Sequence, residues 1–288
     1  MAESFDIAIV GAGKVGTALN ALASISGLRV ALVRRGEAIP PVELVLLTVN
    51  DDAIEPLCNQ LADAKAFKSG AVVAHCSGAL GSDALISARE QCGCHVGSMH
   101  PLQTFPTVEA AVETLPKAYC FCEGDAPAVE ALYAFAARIG SKAVVMDSGG
   151  KALYHAAAVM ACNYLTTLLE CGLELMAAAG VDPKLAATAL LPLVQATLDN
   201  NAAMGPAAAL TGPIARGDVA TVARHVAALR QAVVAVGPSD LPPRHPGATL
   251  ALYRAAGLRT IELALKKGTI DAAKADALRK ILSEGKED

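Results

Sequence analysis

The stretch DIAIVGAGKVGTAL, residues 6–19, decides the fold because it combines a buried strand, a glycine turn and the start of a helix. Its glycines have the G-x-G-x-x-G spacing, in which Gly11 permits a sharp turn, Gly13 lets the backbone approach a pyrophosphate, and Gly16 lets helix and strand pack closely. The helix N-terminus then offers unpaired N–H groups to the phosphates. The sequence therefore predicts a dinucleotide site, and the alternative is a tight turn that binds nothing.

Composition and charge limit the class of protein. The chain has 288 residues, of which 53% are hydrophobic and 18% charged, so it is long and apolar enough for two ordinary domains. A net charge of −4 and no basic run with interleaved aromatics argue against a nucleic-acid partner. The N-terminal residues do not resemble a signal peptide, and the eight cysteines suit a reducing compartment. We therefore expect a cytoplasmic protein.

Two sequence features could indicate a metal site and a membrane-spanning helix. Cys120 and Cys122 are separated by one residue, which is too close for the usual zinc spacing, so we expect small buried side chains and no metal. The uncharged run 152–169 is long enough for a membrane span, but it contains His155 and Asn163. We therefore predict a buried central helix and no membrane partner.

Short apolar runs alternate with helical patterns in the first half of the chain. The runs lie at residues 6–10, 28–33, 44–49, 71–76, 94–98, 118–122 and 142–146. Such alternation predicts parallel pairing with both faces of the sheet covered. Alanine-rich helical patterns follow, at residues 151–179, 183–200, 218–236, 246–267 and 271–283. We predict an α/β fold: a Rossmann domain with a doubly wound, mainly parallel sheet over residues 1–148, and an all-helical domain over residues 149–288.

The end of the second strand bears on the choice of nucleotide. It reads Val33-Arg34-Arg35-Gly36, and two guanidiniums there suit the 2′-phosphate of NADP, whereas Glu37 lies too late to bind the ribose of NAD. We therefore predict NADP in preference to NAD, and the alternative is a pair of solvated arginines. The predicted cofactor-binding residues are Gly11, Gly13, Lys14, Val15, Gly16, Arg34, Arg35, Val49, Asn50, Ser77 and Gly78.

A polar stripe on the long helix is the candidate catalytic feature. Lys151, His155 and Asn163 share one face at 100° per residue, and a polar face on an apolar helix must meet a cavity, a partner or water. His100 follows a strand end, where ligands bind in such folds, whereas we expect His75 to pack inside. Reduction of a carbonyl needs a donor for the developing alkoxide, so we predict Lys151, His155, Asn163 and His100 as catalytic residues. The alternative is a structural His–Asn hydrogen bond.

With these residues assembled, the chain resembles a bacterial family that joins a Rossmann-like domain to a C-terminal domain of unknown function. The resemblance rests on residues 11–16, His75-Cys76-Ser77-Gly78, His100-Pro101-Leu102, Tyr154-His155-Ala156-Ala157-Ala158, Asn163 and Thr211-Gly212-Pro213. The family is similar to the superfamily of β-hydroxyacid dehydrogenases, ketopantoate reductase, pyrroline-5-carboxylate reductase and deazaflavin-dependent NADP reductases. The resemblance implies a helical second domain of the 6-phosphogluconate dehydrogenase C-terminal type, which forms a homodimer and closes the active site.

The resemblance leaves the proton donor open. β-Hydroxyacid dehydrogenases carry an asparagine four residues after the helix lysine, whereas His155 holds that position after Lys151 here. Lys151, His155 or His100 is therefore the candidate donor. The predicted function is an NADP-dependent oxidoreductase that transfers a hydride to or from a small polar carbonyl or imine substrate of the 2-keto or 2-hydroxy acid type. The alternatives are a nucleotide-binding sensor without turnover and, third, an NADP–deazaflavin oxidoreductase.

Overall fold

The computed structural model describes residues 5–235 and 246–283. Its strands are β1 Ile7–Val10, β2 Val30–Val33, β3 Leu44–Leu47, β4 Val72–His75, β5 His95–Pro101, β6 Tyr119–Gly124 and β7 Lys142–Val145. Its helices are α1 Lys14–Ile25, α2 Asp51–Asp63, α3 Ile86–Cys92, α4 Val108–Thr114, α5 Ala126–Arg138, α6 Lys151–Ala161, α7 Asn163–Ala178, α8 Pro183–Met204, α9 Pro206–Ala209, α10 Pro213–Arg216, α11 Val219–Ala235, α12 Pro246–Lys267 and α13 Ala272–Ser283.

The seven strands form one sheet in the order β2-β1-β3-β4-β5-β6-β7. Every neighbouring pair is parallel except β5 and β6, which run antiparallel. The predicted Rossmann fold with a mainly parallel sheet is therefore confirmed. The chain leaves β1 toward β2 on one side and returns to β3 on the other. The carboxyl ends of β1 and β3 thus form the topological switch point, where ligands bind in open α/β sheets.

Both faces of the sheet are covered because successive side chains of a strand point to opposite sides. On β3, Leu46 belongs to the same buried cluster as Leu19 of α1. Its neighbour Val45 belongs to a second cluster with Ile54 of α2. The near-continuous apolar strands follow from this double coverage.

The chain divides into two compact units, Met1–Asn163 and Tyr164–Asp288. The division falls after Asn163, the first residue of α7, whereas the sequence places it at residue 148. The reason is that α6 is tied to the sheet unit by its side chains, since Lys151 is buried against Ser98 and Glu123. The second unit contains α7–α13, and Val222, Ile261 and Leu278 are fully buried in its core.

The predicted buried central helix after residue 150 is wrong in two respects. The helix is interrupted at Cys162, and within α6 and α7 the buried residue is Lys151. By length and composition, the stretch Ser148–Ala178 is apolar enough to cross a membrane. The sequence shows that such a helix has an apolar face, but it does not show whether the same chain covers that face. The expectation of no membrane partner stays a prediction.

Candidate active site

The glycine turn is held at the switch point by a threonine at the end of β3. Gly11 has φ +115°, and a Cβ on Gly16 would lie 2.0 Å from the Gly11 oxygen and 2.4 Å from Thr48 Oγ1. Thr48 Oγ1 donates a hydrogen bond to the Gly11 oxygen at 2.8 Å and is also within reach of the Val10 oxygen at 3.2 Å. Two of the glycines are therefore required by geometry, and Thr48 fixes the turn to the neighbouring strand.

The start of α1 has the features of an anion-binding site. Gly13 is the N-cap and provides no side-chain cap, and the first turn of α1 carries no acidic residue. The N–H groups of this turn are therefore left for an outside acceptor. A Cβ on Gly13 would meet nothing within 4 Å, so the turn is open on that side. Lys14 is exposed and Val15 is half-buried beside it. These residues fit the diphosphate of a dinucleotide.

The turn after β2 contains both the arginines and the glutamate that bear on the choice of nucleotide. The Glu37 carboxylate accepts a hydrogen bond from the Arg34 backbone N–H at 2.6 Å, and the Glu37 N–H donates to the Arg34 oxygen at 3.1 Å. Arg34 and Arg35 are exposed, and neither guanidinium has a hydrogen bond or ion pair within the described part of the chain. The carboxylate is thus bound to the backbone, while both guanidiniums are available to a phosphate.

The Ser77 side chain forms its hydrogen bonds inside the loop after β4 and does not face solvent. Its hydroxyl donates to the Asp51 carboxylate at 2.8 Å and accepts from the N–H groups of Ala79 and Leu80 at 3.1 and 3.0 Å. Ser77 is buried, so the structure gives this predicted cofactor residue a supporting position. Of the other predicted residues at the strand ends, Val49 is half-buried and Asn50 is exposed at the N-cap of α2.

His75 holds the same loop from inside. The Ser77 N–H donates to its Nδ1 at 3.2 Å, and its Nε2 lies 2.9 Å from the Gly81 oxygen, to which it donates because Nδ1 is the acceptor. Burial lowers the pKa of His75 to about 4, so the ring is neutral at pH 7. The ring is fully buried, as expected for a histidine that packs inside.

Two histidines and a tyrosine meet beside Gly78. His100 Nδ1 lies 2.7 Å from the Tyr154 hydroxyl, and the Tyr154 ring packs on Phe121 with 4.5 Å between centroids. The rings of His100 and His155 stand edge to face at 5.7 Å. Burial lowers the pKa of His100 to about 4, and nearby positive charge contributes. Burial raises the pKa of Tyr154 to about 12. Both groups are therefore neutral at pH 7.

Gly78 is the residue that lets these rings approach the loop. A Cβ there would lie 2.5 Å from His155 Nδ1 and 2.8 Å from His100 Nε2, so any side chain would displace both rings. His155 Nδ1 is buried and has no hydrogen-bond partner within the residues described. An unsatisfied buried nitrogen is costly, and a catalytic role is one of the reasons for which a protein retains such an atom. The structure thus brings together His100, His155 and Gly78 from the predicted set.

Lys151 lies in a separate buried charge cluster with Glu123. Its side chain is 2% exposed, its ammonium group donates to Ser98 Oγ, and its Nζ lies 3.4 Å from Glu123 Oε1. Ser98 and Ser82 donate to the two oxygens of Glu123 at 2.5 and 2.8 Å. Burial lowers the pKa of Lys151, against the effect of the Glu123 charge. Asn163 begins α7 after the interruption at Cys162, so it does not continue the helical stripe of Lys151.

The paired cysteines of β6 are small buried side chains, as the sequence predicts. Cys120 and Cys122 are fully buried in the core, and burial raises the pKa of their thiols to about 11 and about 12. Thiols of this kind stay protonated and unreactive at pH 7. Within residues 5–235 and 246–283, no three His, Cys, Asp or Glu side chains group as metal ligands.

Comparison with known families agrees with this architecture. Residues 27–101 match the Rossmann-like domain family, and residues 118–260 match the family described as Domain of unknown function (DUF2520). The chain therefore combines a Rossmann-like domain with a DUF2520 domain, which confirms the resemblance inferred from the sequence. No match was found among curated protein sequences.

Solved structures with the same fold include proteins that bind NADP. Protein TM1727 from Thermotoga maritima is 24% identical with a TM-score of 0.64, over 91% of this chain and 99% of that one. A candidate NADP oxidoreductase from Bacteroides fragilis, BF3122, is 20% identical with a TM-score of 0.68, over 90% and 98%. A reductive aminase from Aspergillus terreus, in complex with NADPH and ethyl-5-oxohexanoate, is 15% identical with a TM-score of 0.56, over 97% and 93%. These likenesses show the fold.

Proposed function

We propose that this chain is an NADP-dependent oxidoreductase that transfers a hydride to or from a small polar carbonyl or imine compound. The observation that carries the proposal is the glycine turn at the switch point, where Thr48 ties Gly11 to β3 and Gly13 leaves the N-terminus of α1 open. The solved structures of the same fold that contain NADPH support it. A bound nicotinamide would supply or accept the hydride, and the N–H groups of α1 would hold the diphosphate.

The histidines beside Gly78 are suited to the oxygen of the substrate. When a carbonyl carbon gains a hydride, its oxygen gains negative charge and then a proton. His100 is neutral at pH 7, so its role is to donate a hydrogen bond to this oxygen. We assign to His155 the delivery of the proton to this oxygen, because its Nδ1 has no hydrogen-bond partner among the described residues. Lys151 is paired with Glu123, and we assign it a positioning role at the start of α6.

The paired arginines provide the test of the cofactor assignment. We expect the double variant Arg34→Ala/Arg35→Ala to bind NADPH about 10- to 100-fold more weakly, because hydrogen bonds to charged groups contribute about 1.5–3 kcal/mol. The affinity for NADH should change little, since NADH lacks the 2′-phosphate. Titration calorimetry with both coenzymes measures the effect.

The matched control is Lys117→Ala/Lys142→Ala, which removes the same charge at the edge of the sheet opposite β2. Equal losses in the two double variants would indicate a general electrostatic effect. Failure of the native chain to bind either coenzyme would refute the proposed function. Binding without oxidation of NADPH over a broad carbonyl panel would instead indicate a sensor.

We also propose that the chain forms a homodimer through its helical unit. Of the 22 residues of α8, only Ala186 is buried, and the exposed apolar side chains include Leu185, Leu191, Leu193, Leu198 and Met204. A helix that exposes this many large apolar side chains marks a protein–protein contact more often than a free surface. Lys184 and Asp199 are the only charged residues of α8, so it suits an equally apolar partner. A second copy offers such a surface by symmetry.

Light scattering tests the dimer. The native chain should have twice its chain mass, and Leu191→Glu/Leu198→Glu should convert it to a monomer, because these residues lie on one face of α8 and the new charges would be buried. Ile25→Glu, at an exposed site on α1, is the control and should leave the mass unchanged. A monomeric native chain would contradict this proposal.

A further inference from the structure

We propose that Tyr154 is a positioning residue that fixes the tautomer of His100, so that His100 presents an Nε2–H to the carbonyl oxygen of the substrate. The inference rests on the proposed function for the identity of its ligand. The arrangement of the two side chains is independent of that function, because Tyr154 and His100 contact each other in the protein alone at 2.7 Å.

The direction of the hydrogen bond decides which nitrogen of His100 carries the proton. A neutral imidazole has one donor nitrogen and one acceptor nitrogen. A phenol is a stronger acid than a neutral imidazole, and an imidazole lone pair is a stronger acceptor than a phenol oxygen. The Tyr154 hydroxyl therefore donates to Nδ1, and the proton of His100 resides on Nε2. In the opposite direction, the hydroxyl proton of Tyr154 would have no acceptor among the contacts of the described residues.

The surroundings of His100 favour this neutral state. Its ring contacts the rings of both Tyr154 and His155 edge to face, and the Lys151 ammonium adds positive charge nearby. Asp51 is the acidic residue that acts in the opposite sense. Protonation of the ring is therefore disfavoured, so His100 is a hydrogen-bond donor that carries no charge.

His100 Nε2 is also the nitrogen that remains for a ligand. It has no hydrogen-bond partner in the described part of the chain, and it is not among the buried unsatisfied atoms, so it reaches solvent. A Cβ on Gly78 would lie 2.8 Å from His100 Nε2 and 2.5 Å from His155 Nδ1, so both nitrogens face Gly78 at distances that exclude a side chain there. The two imidazole edges therefore meet at the loop that follows β4.

This geometry selects the chemical class of the substrate. An uncharged N–H donor matches the lone pair of a carbonyl oxygen. A protonated imine offers only an N–H, which would meet the N–H of His100 without forming a hydrogen bond. We therefore infer that ketones and aldehydes, including 2-keto acids, are preferred over preformed iminium compounds at this site.

The tautomer is tested first, in the protein alone. Nitrogen-15 NMR of the His100 ring should show Nε2 protonated and Nδ1 unprotonated at pH 7. Tyr154→Phe should give a mixture of tautomers, whereas Tyr133→Phe, on the exposed side of α5, should not change the spectrum. A proton on Nδ1 in the native chain, or an unchanged tautomer in Tyr154→Phe, would overturn the inference.

The second test compares His100→Gln with His100→Asn, whose amide N–H groups lie at different distances from the backbone. Glutamine at position 100 puts its N–H near the Nε2 position, whereas asparagine reaches only the Nδ1 position. On the carbonyl compound reduced fastest in a panel, His100→Asn should lose about 100- to 1000-fold in kcat, the usual loss for one oxyanion donor. His100→Gln should recover about tenfold or more of that loss. Both variants should bind NADPH as the native chain does.

The outcomes separate this inference from the proposed function. If the native chain does not bind NADPH, the proposed function is refuted, but the tautomer measurement remains valid. Normal NADPH binding with equal rates for His100→Gln and His100→Asn would refute the role of the Nε2–H alone. Reduction of 1-pyrroline-2-carboxylate, a cyclic imine, without reduction of pyruvate or 2-ketobutyrate would also overturn the preference for carbonyl compounds.

Discussion

Gly16→Ala should destabilise the sheet unit by about 3 kcal/mol or more, at the upper end of the cost of overpacking. The added methyl group would lie 2.0 Å from the Gly11 oxygen and 2.4 Å from Thr48 Oγ1, so either the backbone of the turn or the Thr48 hydrogen bond must move. Because Gly11 already has φ +115°, the turn has little freedom to adapt. Urea unfolding at pH 7 measures the change.

Gly13→Ala is the matched variant, because it adds the same methyl group three residues earlier in the same turn. Gly13 has φ −72° and ψ −175°, which alanine adopts without strain, and its Cβ would meet nothing within 4 Å. The free energy of unfolding should therefore change by less than about 0.5 kcal/mol. NADPH affinity should still fall by about tenfold or more, since the methyl group would stand where the backbone approaches the pyrophosphate.

The pair of variants separates folding from binding at one turn. A stable Gly16→Ala chain would show that the close approach of α1 to β1 is not required. A Gly13→Ala chain with native NADPH affinity would show that the diphosphate does not lie on this turn. The second result would remove the main support for the proposed function, whatever the stability of the first variant.

The parts of this molecule that the sequence predicts are those set by neighbouring residues. The glycine turn and the seven strands follow from spacing and apolar runs within about ten residues of one another. The arginines at 34 and 35 are recognisable because they follow a strand directly. In each case the residues that determine the feature are adjacent in the chain.

The contacts that complete the site are long-range, and the sequence does not predict them. The Tyr154–His100 hydrogen bond joins residues 54 apart, and Lys151 reaches Ser98 and Glu123 across 53 and 28 residues. Lys151 and His155 are four residues apart on a helix, so the sequence predicts that they form one stripe. In the structure His155 reaches the loop at Gly78, whereas Lys151 is directed to Glu123. The role of Thr48 is not among the predictions, although a threonine at a strand end next to a glycine turn is a usable signal.

Lys151→Met should cost about 3–5 kcal/mol, because it leaves the Glu123 carboxylate buried without its cation. The double variant Lys151→Met/Glu123→Gln should recover most of this loss, since the amide oxygen still accepts from Ser98 and Ser82. Arg89→Met is the control: it breaks a more exposed ion pair with Asp125 and should cost less than about 1 kcal/mol. Urea unfolding at pH 7 compares the variants.

The pH dependence of the free energy of unfolding tests the same ion pair by a second, independent measurement. In the native chain, burial raises the pKa of Glu123, but the hydrogen bonds from Ser98 and Ser82 and the Lys151 charge outweigh burial and lower it. This contribution is present above the unfolded pKa of about 4.3 and is lost as the pH falls through the lower folded pKa. In Lys151→Met, burial should prevail and raise the pKa of Glu123. The variant should therefore gain stability relative to the native chain as the pH falls from 7 to 5. A parallel dependence in both proteins would show that Lys151 does not compensate the buried charge, and that α6 is positioned by its other contacts.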